Sequence, residues 1–130
     1  MSLTPSTDRP LVIVGAGPIG LAAAAQAHER GLPVVVVEAG ESVGQAVLEW
    51  GHVRLFSPWS ELVDEAAARL LEPTGWTRPD ARGLPTGAEW VGDYLAPLAE
   101  ALRAVGVSIR TASRVVGVAR QGRDRLVAID

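Results

Sequence analysis

The feature that most constrains the fold is a cluster of glycines between an aliphatic run and an alanine-rich run. Gly15, Gly17 and Gly20 follow Leu11–Val14 and precede the alanine-rich segment 21–27. Four aliphatic residues have the length and β-branched content of a buried strand, and alanine has the highest helix propensity. A secretion signal is the alternative, because Arg9 precedes the run and small residues lie near its end. Three glycines and a proline interrupt the run without benefit to a signal helix, so we predict a strand, a glycine turn and a helix.

The spacing of these glycines has the pattern GxGxxG, over residues 15–20. The first glycine permits a tight turn out of the strand, the second lets the main chain approach a pyrophosphate, and the third lets the helix pack on the strand. The N–H groups of the first helical turn and the positive end of the helix dipole then face an anion. Pro18 suits this turn, because its missing N–H would have no partner inside the helix. The pattern predicts a phosphate-binding loop.

An acidic residue follows at the position that a ribose requires. Gly31 is placed to end the helix, and a second apolar strand, Val34–Val37, leads directly into Glu38. A carboxylate there can accept hydrogen bonds from both ribose hydroxyls, whereas it would repel a 2′-phosphate. Glu38 therefore favours FAD or NAD over NADP at this site.

Composition excludes several other classes of protein. With 130 residues the chain has room for one domain of ordinary size, and its net charge of -3 gives no basic field for nucleic acid. No apolar run is long enough to span a bilayer, so we expect a cytoplasmic protein with no membrane partner. The chain has no cysteine, and no His/Asp/Glu set has metal spacing, so we predict no metal. The GxxxxGK[ST] loop is excluded because all twelve cationic residues are arginines.

Residues 11–44 resemble the N-terminal FAD-binding fingerprint of two-dinucleotide-binding-domain flavoproteins. This group contains flavin-containing monooxygenases and pyridine nucleotide-disulfide oxidoreductases. Gly44 matches a glycine turn that lies near the flavin diphosphate in that group, and residues 50–59, WGHVRLFSPW, look like a segment of its monooxygenase-like branch. The resemblance implies FAD as the cofactor and NAD(P)H as co-substrate of the complete enzyme. Glutathione-reductase-type enzymes carry a cysteine pair just after this glycine turn, so the lack of cysteine excludes disulfide reduction by that arrangement. A thioredoxin-reductase-like enzyme, with its cysteines in a later domain, stays open.

The resemblance also implies where the cofactor binds. It puts His52 and Arg54 near the isoalloxazine ring and Val115 at the adenine, and it leaves the catalytic residues unknown. The cofactor-binding residues predicted from the motif and the resemblance together are Gly15, Gly17, Pro18, Ile19, Gly20, Glu38, Ala39, Gly44, Gln45, Arg54 and Val115.

The rest of the chain is predicted to complete one domain over residues 11–130, after a flexible N-terminus at 1–10. We predict a helix over 58–71, a surface loop over 72–85, and a helix that opens with the capping box of Thr86 and Glu89 and kinks at Pro97. Its apolar stripe includes Val91, Leu95, Leu98, Leu102 and Val105. A third strand at 107–109 and two strands at 114–120 and 125–129 should follow.

The resemblance to these flavoproteins implies that the last two strands belong to a three-stranded β-meander, which the sequence leaves incomplete. The fold class is therefore an α/β Rossmann-like FAD/NAD(P)-binding domain with a parallel sheet, and we expect the chain to be the N-terminal part of a longer flavoenzyme. An unpaired strand can pair with another chain, so a homodimer through the edge at 126–129 is a secondary prediction.

Three functions remain open at this point. The first is the part of an NAD(P)H-dependent, monooxygenase-like flavin oxidoreductase that binds the ADP moiety of FAD. The second is an NAD-binding domain of a dehydrogenase or reductase, which the long segment after Glu38 disfavours. The third is a non-enzymatic nucleotide-binding module, since 130 residues hold no complete active site.

Overall fold

The sheet has three parallel strands in the order β1-β2-β3. The computed structural model describes residues 9–122, so residues 1–8 of the predicted N-terminus lie outside it. The strands are β1 Leu11–Val14, β2 Val34–Val37 and β3 Ser108–Arg110. The helices are α1 Pro18–Glu29, α2 Gln45–Leu48, α3 Trp59–Leu62, α4 Glu65–Leu71, α5 Gly87–Trp90 and α6 Ala96–Ala104. The predicted α/β class with a parallel sheet is confirmed.

The first βαβ unit follows the prediction closely. β1 pairs with β2 from Leu11 opposite Val34 to Val14 opposite Val37, and α1 connects the two strands. Gly31 lies just past the end of α1 with a φ of 74°, a conformation that L side chains rarely adopt. The strand, turn and helix interpretation of the first apolar run is confirmed.

The core lies between the sheet and the helices α1, α4 and α6. Its large, fully buried side chains come from each of these elements, and they include Leu21, Val36, Leu71, Leu98 and Leu102. Each such side chain contributes roughly 1.5–3 kcal/mol to folding through its removal from water. β1 is less buried than β2, because no described residue pairs with its outer edge. Val12 and Val14 of β1 remain 54% and 61% exposed.

The helix predicted over 58–71 is wrong as a single element. The backbone is extended at Val63 and Asp64, so the segment forms α3 and α4 as separate helices. The physical reason is the side chain of Asp64, which accepts a hydrogen bond from the Ala67 N–H at 3.0 Å and so caps α4. The same carboxylate accepts from the Gln26 amide of α1 at 3.0 Å. A tertiary contact therefore interrupts a stretch whose local propensity favours one helix.

The helical region after Thr86 begins as predicted and then changes its hydrogen-bond pattern. Thr86 accepts from the Glu89 N–H at 3.1 Å, which confirms the N-cap. A π-helical turn, Val91–Leu95, separates α5 from α6 just before Pro97. Pro97 has no N–H to offer the Asp93 carbonyl, and the Trp76 indole donates to that carbonyl at 2.8 Å instead. The predicted kink is thus accommodated as a π-turn.

The loop predicted over 72–85 is less uniform than expected. It opens with a 3₁₀ turn, Glu72–Thr74, and Pro85 near its end is fully buried. Trp76 is half-buried and packs against Tyr94, with the ring centroids 6.3 Å apart. Burial raises the pKa of Tyr94, so its hydroxyl stays protonated and accepts the Asp64 N–H at 3.1 Å.

Several predictions for the C-terminal part of the chain differ from the structure. Val105 is exposed rather than part of the buried stripe, because α6 ends at Ala104. The third strand runs one residue later than predicted, at Ser108–Arg110. The structure assigns no strand to the described residues 114–120, and the strand predicted to pair with them, at 125–129, lies outside the described residues. Residues 125–129, including the edge at 126–129 that was predicted to form a homodimer, lie outside the described residues.

We expect Asp64→Ala to lower the free energy of unfolding by about 1–2 kcal/mol, because the substitution removes both the cap of α4 and the contact with Gln26. Urea denaturation followed by circular dichroism measures this change. The matched control is Asp93→Ala, which removes an equal charge from an exposed position. Equal stabilities of the two variants would contradict the role assigned to Asp64.

Candidate functional site

The carboxyl ends of the three parallel strands meet at one edge of the sheet. The Gly15 N–H, just after β1, donates to the Val37 carbonyl at 2.8 Å, and the Glu38 N–H, just after β2, donates to the Arg110 carbonyl at 2.7 Å. Ligands of open parallel sheets bind at this edge, where the turns after the strands converge. The candidate site is built from these turns.

The glycine loop has the geometry that its spacing predicts. Gly15 has a φ of 101°, which is accessible to glycine. A Cβ atom at Gly20 would lie 1.9 Å from the Gly15 carbonyl oxygen, so α1 contacts the loop backbone directly. A Cβ atom at Gly17, in contrast, would meet no atom within 4 Å. Two of the glycines are therefore required by the fold, whereas Gly17 leaves open space beside the loop.

The N-terminus of α1 is free to receive an anion. Gly17 is the N-cap residue with extended backbone, no side chain caps the helix, and Pro18 occupies its first turn. The Leu21 N–H makes the first bond back to Gly17 O, at 3.0 Å, so the N–H groups of Ile19 and Gly20 have no carbonyl partner within the helix. The Ile19 side chain is 84% exposed beside them. These donors and the helix dipole make the loop attractive to phosphate.

Glu38 holds two turns together through its half-buried carboxylate. Its Oε1 accepts from the Ala16 N–H of the glycine loop at 2.9 Å, and its Oε2 accepts from the Gly40 N–H at 2.6 Å. An ionised carboxylate offers about four lone-pair positions, so each oxygen keeps one for a further donor. The side chain is thus fixed in place and still able to accept two hydroxyl groups.

The second glycine turn joins the first. Gly44 has a φ of 68°, and its N–H donates to the Ala16 carbonyl at 2.8 Å. A Cβ atom at Gly44 would lie 2.9 Å from a methyl carbon of Val91, so the turn packs closely on the π-turn. Gln45 accepts from the Ser42 hydroxyl at 3.1 Å, and Ala39 is exposed on the same turn.

The structure does not join every predicted residue to this cluster. Arg54 is exposed and donates to the Leu84 carbonyl, and its backbone forms a bridge with Thr86. Val115 is partly exposed beyond β3. His52 is exposed and makes no side-chain hydrogen bond within residues 9–122. Their roles at the flavin and the adenine remain predictions from the resemblance.

Several residues at the site were not predicted. Gly40 packs against Glu38 and Gln45, and a glycine two residues after the acid is a signal that the sequence offered. The Ala112 and Ser113 N–H groups donate to the carbonyls of Gly40 and Glu38, at 2.7 and 2.9 Å, and no sequence pattern marks them.

A groove of about 380 Å³ adjoins the N-terminus of α1. Pro18 and Ile19 lie along it together with Trp90 and Tyr94. The Trp90 indole N–H is buried and has no hydrogen-bond partner in the part of the chain that the structure describes. Within residues 9–122 no group of metal-ligating side chains is found, and no helix is long and apolar enough to cross a membrane.

Comparison with known families identifies this arrangement. The family described as pyridine nucleotide-disulphide oxidoreductase matches residues 12–129. The chain belongs to this family. None of the curated proteins compared with the chain matches it. The predicted membership of this family is confirmed.

Solved structures share the fold. The bacillithiol disulfide reductase Bdr (YpdA) from Bacillus cereus is 25% identical with a TM-score of 0.62, over 87% of this chain and 31% of that one. OTEMO, solved in complex with FAD and NADP, is 23% identical with a TM-score of 0.59, over 85% of this chain and 20% of that one. FqzB is 20% identical with a TM-score of 0.57, over 88% of this chain and 30% of that one. The chain spans less than a third of the length of these proteins.

We expect Gly20→Ala to lower the free energy of unfolding by about 3 kcal/mol or more, because the added methyl group would overlap the Gly15 carbonyl oxygen. Thermal or urea denaturation measures the loss. Gly92→Ala is the matched control, since a Cβ atom there meets nothing within 4 Å. If both variants were equally stable, α1 would not be packed directly on the glycine loop.

Proposed function

We propose that the cluster around the glycine loop binds the ADP half of FAD, as the N-terminal part of an NAD(P)H-dependent flavin oxidoreductase. The observation that carries the proposal is the pairing of an uncapped α1 N-terminus with a Glu38 carboxylate already fixed by two backbone amides. The first group favours a diphosphate and the second favours a ribose diol, so together they fit an adenosine diphosphate.

The phosphate half of the proposal rests on Gly17 and the first turn of α1. The diphosphate would lie in the open space beside Gly17, within reach of the N–H groups of Ile19 and Gly20. Since glycine is not required there by any protein contact, we assign its lack of a side chain to the approach of the ligand.

The ribose half rests on Glu38. With one amide on each oxygen, the carboxylate would accept the two ribose hydroxyls at its remaining lone pairs. A 2′-phosphate would bring a second negative charge next to this carboxylate, so the site favours FAD or NAD over NADP.

The choice of FAD over NAD rests on the segment after β2. The Gly44 turn is bonded to the glycine loop through Ala16 and leads into α2, so this segment forms part of the site rather than a plain connection. FAD also accompanies OTEMO, whose fold is similar. When bound, the flavin would supply the redox chemistry, and this chain's residues would bind and orient it.

The proposed reaction class rests on the cysteine count of this chain and on the resemblance. Because the chain has no cysteine, it supplies no redox-active pair, and we propose a monooxygenase-like enzyme that passes electrons from NAD(P)H through the flavin to oxygen or a substrate. His52 and Arg54 are proposed to lie near the isoalloxazine, and Val115 near the adenine.

Titration of the protein with FAD, followed by flavin fluorescence, tests the proposed function directly. We expect saturable binding that ADP weakens more than NAD does, because ADP contains the groups that the loop and Glu38 contact. NAD binding without FAD binding would instead favour a dehydrogenase domain, and binding of neither would contradict the assignment.

We expect Gly17→Ala to lower the affinity for ADP at least about tenfold, which corresponds to roughly 1.4 kcal/mol. The φ of −89° at Gly17 suits alanine and no protein atom obstructs the methyl group, so the fold should be retained. Isothermal calorimetry gives the affinity, and a melting curve checks stability. Gly92→Ala serves again as control, and unchanged ADP affinity in Gly17→Ala would place the phosphates elsewhere.

A further inference from the structure

The turn after β3 contains the only residue other than glycine with a positive φ within residues 9–122. Ala112 has a φ of 49° in the left-handed region. Alanine is disfavoured there, and unlike asparagine or aspartate it has no polar side chain that could compensate by local hydrogen bonding. Such a conformation persists only when surrounding contacts hold it, and strained residues concentrate at functional sites. The contacts that hold Ala112 therefore indicate its role.

Those contacts all lead to the turn that follows β2. The Glu38 N–H donates to the Arg110 carbonyl at 2.7 Å, and the Ser113 N–H donates to the Glu38 carbonyl at 2.9 Å. The Ala112 N–H donates to the Gly40 carbonyl at 2.7 Å. The Ser113 hydroxyl closes the turn on itself by donating to the Thr111 carbonyl at 2.9 Å. The left-handed residue lets two consecutive amides, at Ala112 and Ser113, reach the same neighbouring turn.

Gly40 transmits this geometry to the carboxylate. Its carbonyl is held by Ala112, while its N–H donates to Glu38 Oε2 at 2.6 Å. A Cβ atom at Gly40 would lie 2.5 Å from Cβ of Gln45 and 3.0 Å from Glu38 Oε2, so the turn has no space in which to shift. Fixing the backbone of Gly40 on both sides fixes the amide that orients the carboxylate.

We propose that Ala112 is a positioning residue that sets the orientation of the Glu38 carboxylate toward a ribose diol. It acts through Gly40 and has no contact with the nucleotide itself. The inference rests on the proposed function, because it assigns ribose recognition to Glu38. It adds a specificity determinant from the end of β3, an element that the glycine motif does not include.

The experiment compares ADP with 2′-deoxy-ADP, which lacks one of the hydroxyls that Glu38 accepts. In the wild-type protein the ratio of the two dissociation constants should be about tenfold or more, the value for a lost hydrogen bond to a charged group. Ala112→Val strongly disfavours a positive φ and should reduce this ratio by about threefold or more, the range for a residue that acts on a site through its neighbours. Ala112→Gly, which accepts the conformation without strain, should keep the ratio and raise the melting temperature.

The ratio of the two dissociation constants distinguishes a positioning role of Ala112 from an effect on stability alone. Ala119→Val makes the same substitution at an exposed position without a positive φ and should leave the ratio unchanged. A folded Ala112→Val protein with the wild-type ratio and a lower melting temperature would overturn the proposal. Should the valine variant not fold, Ala112→Leu provides the same comparison with an unbranched side chain.

One further result would contradict the proposed function without testing the link between Ala112 and Gly40. If the wild-type protein binds neither ADP nor 2′-deoxy-ADP, the nucleotide site fails, and hydrogen exchange of the Gly40 amide then tests the coupling alone. Faster exchange in Ala112→Val than in Ala112→Gly supports the link from Ala112 to Gly40, and equal exchange overturns it.

Discussion

The close contact between α1 and the turn after β1 is the constraint on which the rest of the structure depends. At Gly20 the helix approaches the Gly15 carbonyl so closely that a side chain has no room. This contact aligns α1 over the sheet, buries Leu21 and Ala24, and fixes where the first helical turn presents its N–H groups. Since both the core and the position of the proposed anion-binding end of the helix follow from one contact, fold and candidate site depend on each other here.

The Glu38 carboxylate then connects the turn after β1 with the turn after β2 through hydrogen bonds. It accepts one amide from the glycine loop and one from Gly40, and the backbone around it is bonded to the residues after β3. Buried or half-buried charge is stabilised by such hydrogen bonds, and the same bonds leave its position little freedom. A ligand therefore meets acceptors and donors that are already oriented, which lowers the conformational cost of binding.

We propose that the described part of the chain binds the cofactor and leaves the redox chemistry to it. Among the described groups with shifted pKa values, Glu29 and Arg69 form a surface ion pair, and Tyr94 packs on Trp76 beside the groove at the N-terminus of α1. Solved relatives are more than three times as long as the region they share with this chain.

The sequence alone determined the first βαβ unit, the glycine turn after β1, the acid at the end of β2 and the family. These signals are local, because a turn needs glycine at fixed positions and a strand or helix shows its period within a few residues. Tertiary structure decided the break at Asp64, the π-turn before Pro97 and the strained turn at Ala112. Each of these depends on a partner distant in the chain, such as Gln26, Trp76 or Gly40, and a hydrogen bond between distant residues leaves no periodic pattern in the sequence.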